Sequence, residues 1–137
     1  MRKDLRSKAR AAALQALYQI EAGAPSAEVA LARMQSHFEP PPLDNGYLNR
    51  LVEGVTARLE ELDDLVRAAA PDWKPGRMTV VDRNILRIGT FELLEQSVPP
   101  KVALAEAVVL ADRYGGERST IFINGVLDRV AQGLGRL

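Results

Sequence analysis

Five basic side chains crowd the first ten residues, Arg2, Lys3, Arg6, Lys8 and Arg10, against one acid, Asp4. On a helix, at about 100° per residue, Lys3, Arg6 and Arg10 fall within roughly 60° of one another. They lie beside Leu14 and Leu17, at the edge of an apolar stripe, and form a ridge suited to phosphates. Gln15, Tyr18 and Gln19 lie across from that stripe, where they can hydrogen-bond or stack on bases. Basic residues interleaved with a ring and amides suit single-stranded RNA, in which phosphates supply affinity and exposed bases stack on aromatic side chains. The plain alternative is a solvated basic N-terminus.

Catalytic chemistry has little to build on. The only histidine, His37, stands at a helix end with no serine or cysteine partner indicated by spacing, and is expected to be structural. Glu60, Glu61, Asp63 and Asp64 read as a solvated acidic face. There is no cysteine, hence no thiolate nucleophile, no thiolate metal site and no disulfide framework. Gly115 and Gly116 follow a helix, whereas a phosphate-binding loop opens one after a strand. The expectation is a non-enzyme without a cofactor. Asp82, Arg83 and Arg87 make a second charged set, in which Arg83 and Arg87 share a face next to Leu86 and Ile88 and are expected to buttress a neighbouring helix. Asn124 and Gly125 are poor mid-helix residues. Asn124 is expected in the core, with a partner-facing position as the alternative, and Gly125 where another helix comes close.

These side chains require helices to hold them, and proline marks where the helices lie. Prolines occur only at 25, 40 to 42, 71, 75, 99 and 100, and each proline-free stretch has helical periodicity. Leu5, Ala9, Ala12, Ala13, Ala16, Leu17 and Ile20 form the first stripe, closed by Gly23 and Pro25. Ser26 is placed to cap a second helix with Val29, Ala30 and Met34 inward, before an extended turn at the triple proline. Leu48, Leu51, Val52, Val55, Leu59, Leu62 and Val66 continue the pattern, and Asp63 or Asp64 is expected to cap a break that makes this stretch two helices. Thr79 opens a helix to about Gln96, and another runs from about Val102 to Tyr114. Ser119 is expected to cap the last, with Phe122, Ile123, Val126, Leu127 and Val130 inward. No stretch alternates with period two. The fold expected is all-α, a compact bundle of about seven helices forming one domain over 1–137.

The chain is 47% hydrophobic and 26% charged, with 18 basic and 18 acidic residues. Its length suffices for a core without metal or disulfide support. No apolar run reaches the ~18 residues of a membrane span and no signal-peptide segment opens the chain, so a cytoplasmic protein is expected. The zero net charge is polarised: residues 1–10 carry plus four, residues 39–72 minus five. A neutral total therefore does not exclude an RNA partner.

Three pieces of sequence resemble the NusB family of bacterial transcription antitermination proteins: RSKARAAALQALYQ at 6–19, DRNILRIGTFELL at 82–94, and VPPKVALAEAVVLADRYG at 98–115 followed by FINGVLD at 122–128. The resemblance implies an all-helical RNA-binding protein. It would pair with NusE, a small-subunit ribosomal protein, bind the boxA element of nascent RNA, and help the RNA polymerase antitermination complex read through terminators, notably in ribosomal RNA operons. It assigns RNA contacts to Arg2, Lys3, Arg6, Lys8, Arg10, Tyr18 and Phe122. Asp82, with the loop around Glu117 and Arg118, becomes the candidate NusE contact. Ile121 departs from the family pattern, in which a basic residue often precedes the phenylalanine. The alternative reading is a helical homodimerisation module without direct RNA binding, because an alanine-rich first helix permits close packing.

Overall fold

The computed structural model describes residues 2–37 and 42–137, without the side chains of Arg2, Lys3, residues 34–37 and Pro75. The expectations for the side chains of Met34 and His37, and for the first two prolines of the 40–42 turn, lie outside the described residues. Among those described there are seven α-helices and no strand: α1 (Arg2–Glu21), α2 (Ala27–His37), α3 (Asn45–Ala57), α4 (Leu59–Ala69), α5 (Val80–Glu95), α6 (Pro100–Tyr114) and α7 (Ser119–Gly133), with one 3-10 turn at Pro75–Arg77. The all-α expectation holds.

Side-chain chemistry accounts for most of the boundaries. Gly23 leaves α1 at a φ of 118°, a conformation that glycine adopts without steric cost. Ser26 Oγ accepts the Val29 N–H at 3.1 Å and Thr79 Oγ1 the Asp82 N–H at 3.1 Å, so both expected caps are present. Asp44, not foreseen as a cap, does the same for α3, accepting the Tyr47 N–H at 3.0 Å. Helix α6 begins at Pro100, two residues early, because a proline at the first helical position forgoes only an amide that would be unpaired anyway.

Two expected caps fall elsewhere. The break between α3 and α4 comes at Arg58, which leaves helical geometry at φ −119° and ψ 25°. Asp63 and Asp64 lie inside α4, where Asp63 is drawn into an ion pair. Ser119 is the first residue of α7, behind an Arg118 cap that makes no side-chain bond. Its hydroxyl turns back to accept the Gly116 N–H at 2.8 Å.

The described chain forms two compact units, Met1–Ala57 and Arg58–Leu137. In the first, α1 packs on α2 and α3. Ala9, Ala13 and Ala16 of α1 are fully buried, as are Leu51, Val52 and Val55 of α3; alanine lets helix backbones approach closely. In the second unit α5, α6 and α7 pack on one another and α4 lies against α5 and α7. Leu62, Val66, Ile85, Leu86, Ile123, Val126 and Leu127 are fully buried there.

Arg87 is a buttress, as expected. It reaches from α5 to α4 with Nε donating to Asp63 Oδ1 and Nη2 to Asp63 Oδ2, both at 2.9 Å, while Nη1 donates to Asn84 Oδ1 at 3.3 Å. The glycine expectation is corrected. A Cβ on Gly125 would meet nothing within 4 Å, whereas one on Gly89 would lie 2.6 Å from Leu127 Cδ1, so the tight crossing is between α5 and α7 at Gly89. Asn124 is also corrected: it is exposed, because Ile123, Val126, Leu127 and Val130 already define the inward face of α7. Phe122, expected on that face, sits at its edge and is 38% exposed.

Candidate nucleic-acid interface

The basic segment at the start of α1 is anchored by the start of α3. Asp44 donates its backbone N–H to the Leu5 carbonyl at 3.2 Å, which docks the α3 cap onto α1. Tyr47, buried one turn into α3, then lies beneath two arginines: the guanidinium carbon of Arg6 is 4.5 Å from its ring centroid and that of Arg10 is 5.5 Å away. Both distances are within cation–π range. Arg6 Nε also lies 3.9 Å from Asp44 Oδ2, with a third of the arginine side chain exposed.

This geometry divides the expected ridge. Arg10 is only 2% exposed, so it is part of the packing between α1 and α3 and offers no open surface to a phosphate. The reason lies in the register. Arg6 and Arg10 adjoin the apolar stripe, and Tyr47 on α3 gives that edge a flat partner which stacks on guanidinium groups. The side chains of Arg2 and Lys3 lie outside the described residues, although both belong to α1.

A different face of α1 is open to solvent. Lys8 is exposed and pairs with Asp4 at 3.2 Å, one turn away. An exposed i,i+4 pair of this kind is weak and leaves the ammonium able to exchange partners. Farther along, Gln15 is exposed, Tyr18 is 54% exposed and Gln19 is half-buried. One cation, an amide and a ring are thus presented over about three turns, the combination that meets phosphates and stacks on bases.

The second unit carries the remaining candidates. Phe122 stands beside Ile121, which is 79% exposed, and Asn124, two residues on in α7, is exposed as well. Asp82 at the start of α5 accepts a hydrogen bond from Ser119 Oγ at 3.0 Å. That contact brings Asp82 to the α6–α7 connection, where Glu117 and Arg118 are both exposed. Asp82, Glu117 and Arg118 therefore cluster, while Tyr18 belongs to the first unit and Phe122 to the second. Tyr47 and Asp44 were missed as members of the α1 site; an aspartate three residues ahead of a helical position was the available signal. Among the described residues no group of three His, Cys, Asp or Glu side chains could hold a metal ion. No helix there is long and apolar enough to cross a membrane.

Residues 7–132 match the model of the NusB family. The transcription antitermination protein NusB of Sorangium cellulosum is 45% identical over 133 residues, covering 96% of this chain and 95% of that protein. Its counterpart in Anaeromyxobacter dehalogenans is 45% identical over 130 residues, covering 94% and 92%. Among solved structures, T. maritima NusB superposes with a TM-score of 0.78 at 36% identity, covering 93% of this chain and 90% of that one. A crystal structure of antitermination factors NusB and NusE in complex with dsRNA gives 0.80 at 25% identity, covering 95% and 98%. With one family model spanning nearly all of its helices, the chain belongs to the NusB family.

Proposed function

We propose that this protein is a cytoplasmic, non-enzymatic transcription antitermination factor that binds boxA-type RNA together with NusE and supports read-through by RNA polymerase, notably in ribosomal RNA operons. The observation that carries the reading is the match to the NusB family over residues 7–132, joined to a similar fold solved with NusE and RNA. The whole of 1–137 serves as one RNA-binding domain. Arg2, Lys3, Arg6 and Lys8 meet phosphates, Tyr18 and Phe122 meet bases, and Arg10 acts through the Tyr47 stack that holds α1. Asp82, Glu117 and Arg118 form the NusE-facing cluster.

Fluorescence anisotropy with a boxA single strand, a scrambled strand and an RNA duplex, each with and without NusE, tests this reading. Preferential boxA binding that tightens with NusE is expected. With three to four phosphates neutralised, log affinity should fall against log salt with a slope of about −2.5. Equal affinity for boxA and scrambled RNA in the presence of NusE would overturn it.

A further inference from the structure

Asp44 occupies an unusual position beside the basic helix, because three of its groups have separate commitments. Its backbone N–H is donated to Leu5 on α1, its Oδ1 caps α3 through the Tyr47 amide, and its Oδ2 lies 3.9 Å from Arg6 Nε. The first two bonds fix the third group, Oδ2, in place. The arginine keeps part of its surface open: its Nε is buried, yet a third of the side chain is exposed above the Tyr47 ring.

We propose that Asp44 is a built-in counter-ion that stands where a backbone phosphate would otherwise approach Arg6, and so limits RNA affinity and favours release. The proposal rests on the reading of α1 as an RNA-binding element. A phosphate that engages Arg6 must compete with a carboxylate that cannot follow the arginine, because Asp44 is held by the cap and by Leu5. The same negative charge repels a phosphate brought close to Arg6 but not well enough placed to take the guanidinium. Asp44 thus adjusts how strongly this end of the helix holds RNA without touching a base.

Asp44→Asn separates the counter-ion from the cap, since asparagine caps helices as well as aspartate does. The variant is measured against boxA single-stranded RNA by anisotropy at several salt concentrations, with thermal unfolding as a control. An exposed or half-exposed ion pair is weak, so the expected result is a two- to five-fold tightening at low salt with an unchanged melting temperature, slower RNA dissociation in stopped flow, and loss of the gain in Asp44→Asn/Arg6→Gln. Affinity and salt slope equal to wild type in Asp44→Asn would overturn the counter-ion role while leaving the RNA reading intact. If neither wild type nor variant prefers boxA in the presence of NusE, the RNA reading fails and the proposal with it. Should Asp44→Asn prove unstable, Asp44→Ser, which also caps without charge, provides the same comparison.

Discussion

Ser119 Oγ donates to Asp82 Oδ2 across 3.0 Å and accepts the Gly116 N–H at 2.8 Å. One buried hydroxyl therefore ties the first turn of α5 to the connection between α6 and α7, and places Glu117 and Arg118 beside Asp82. Gly115 supports the same turn, because a Cβ there would lie 2.6 Å from Ser119 Cβ and 2.7 Å from the Ala111 carbonyl. Replacing Ser119 by Ala leaves both partners unmet. A loss of about 1–2 kcal/mol is expected in urea unfolding, together with weaker NusE binding by calorimetry, although Ser119 itself is only 5% exposed.

Arg10 and Lys8 should respond in opposite ways. Arg10→Ala removes a buried, stacked side chain and should lower stability by about 2 kcal/mol. Lys8→Glu alters an exposed residue, so it should leave the melting temperature within about 1–2 °C while weakening boxA binding several-fold. Thermal unfolding and anisotropy on the same two variants check both halves. A stable Arg10→Ala protein would remove Arg10 from the packing between α1 and α3.

Two of the helical glycines, Gly89 and Gly125, give an internal comparison. Gly89→Ala sets a methyl group 2.6 Å from Leu127 Cδ1, in a core where Leu127 is fully buried. It should destabilise by about 1–2 kcal/mol. Gly125→Ala meets open space and should stabilise by about 0.5–1 kcal/mol, the ordinary helix gain of alanine over glycine. Denaturant midpoints of the two single variants would show the opposite signs directly.

An acid-side prediction follows from Arg58, which bonds Glu61 at 2.8 Å and also contacts Glu95. The hydrogen bond from Arg58 holds the Glu61 carboxyl below its ordinary value of 4.5. A carboxyl depressed by folding adds stability above its unfolded value and loses it as pH falls through the lower, folded one. Glu61→Gln should therefore lower the melting temperature slightly at neutral pH and converge with the wild type in acid, flattening the acid limb of the profile. Scanning calorimetry from pH 3 to 7 provides the check.

Local pattern carried much of this structure. Ser26 and Thr79 were legible as caps because a cap acts within three residues, and Arg87 beside Leu86 was legible as a buttress because its face is set by helix periodicity. What stayed hidden depended on partners distant in sequence. Arg10 looks like a surface base until Tyr47, on another helix, is placed against it. Asp63 looks like a cap until Arg87, 24 residues later, claims it. Asn124 and Gly125 were misassigned for the opposite reason: poor helix formers suggested a buried cause, and both proved to sit where the surface tolerates them.

Ten consecutive residues of α5, Asn84 to Leu93, are buried. A helix enclosed on every side has no face on which to fray or slide. Its central amides should exchange with deuterated solvent only when the whole second unit opens, making α5 the slowest clock in that unit. Asp82 sits two residues outside the protected run, so a partner bound there would be held by the least yielding part of the unit while still reaching solvent.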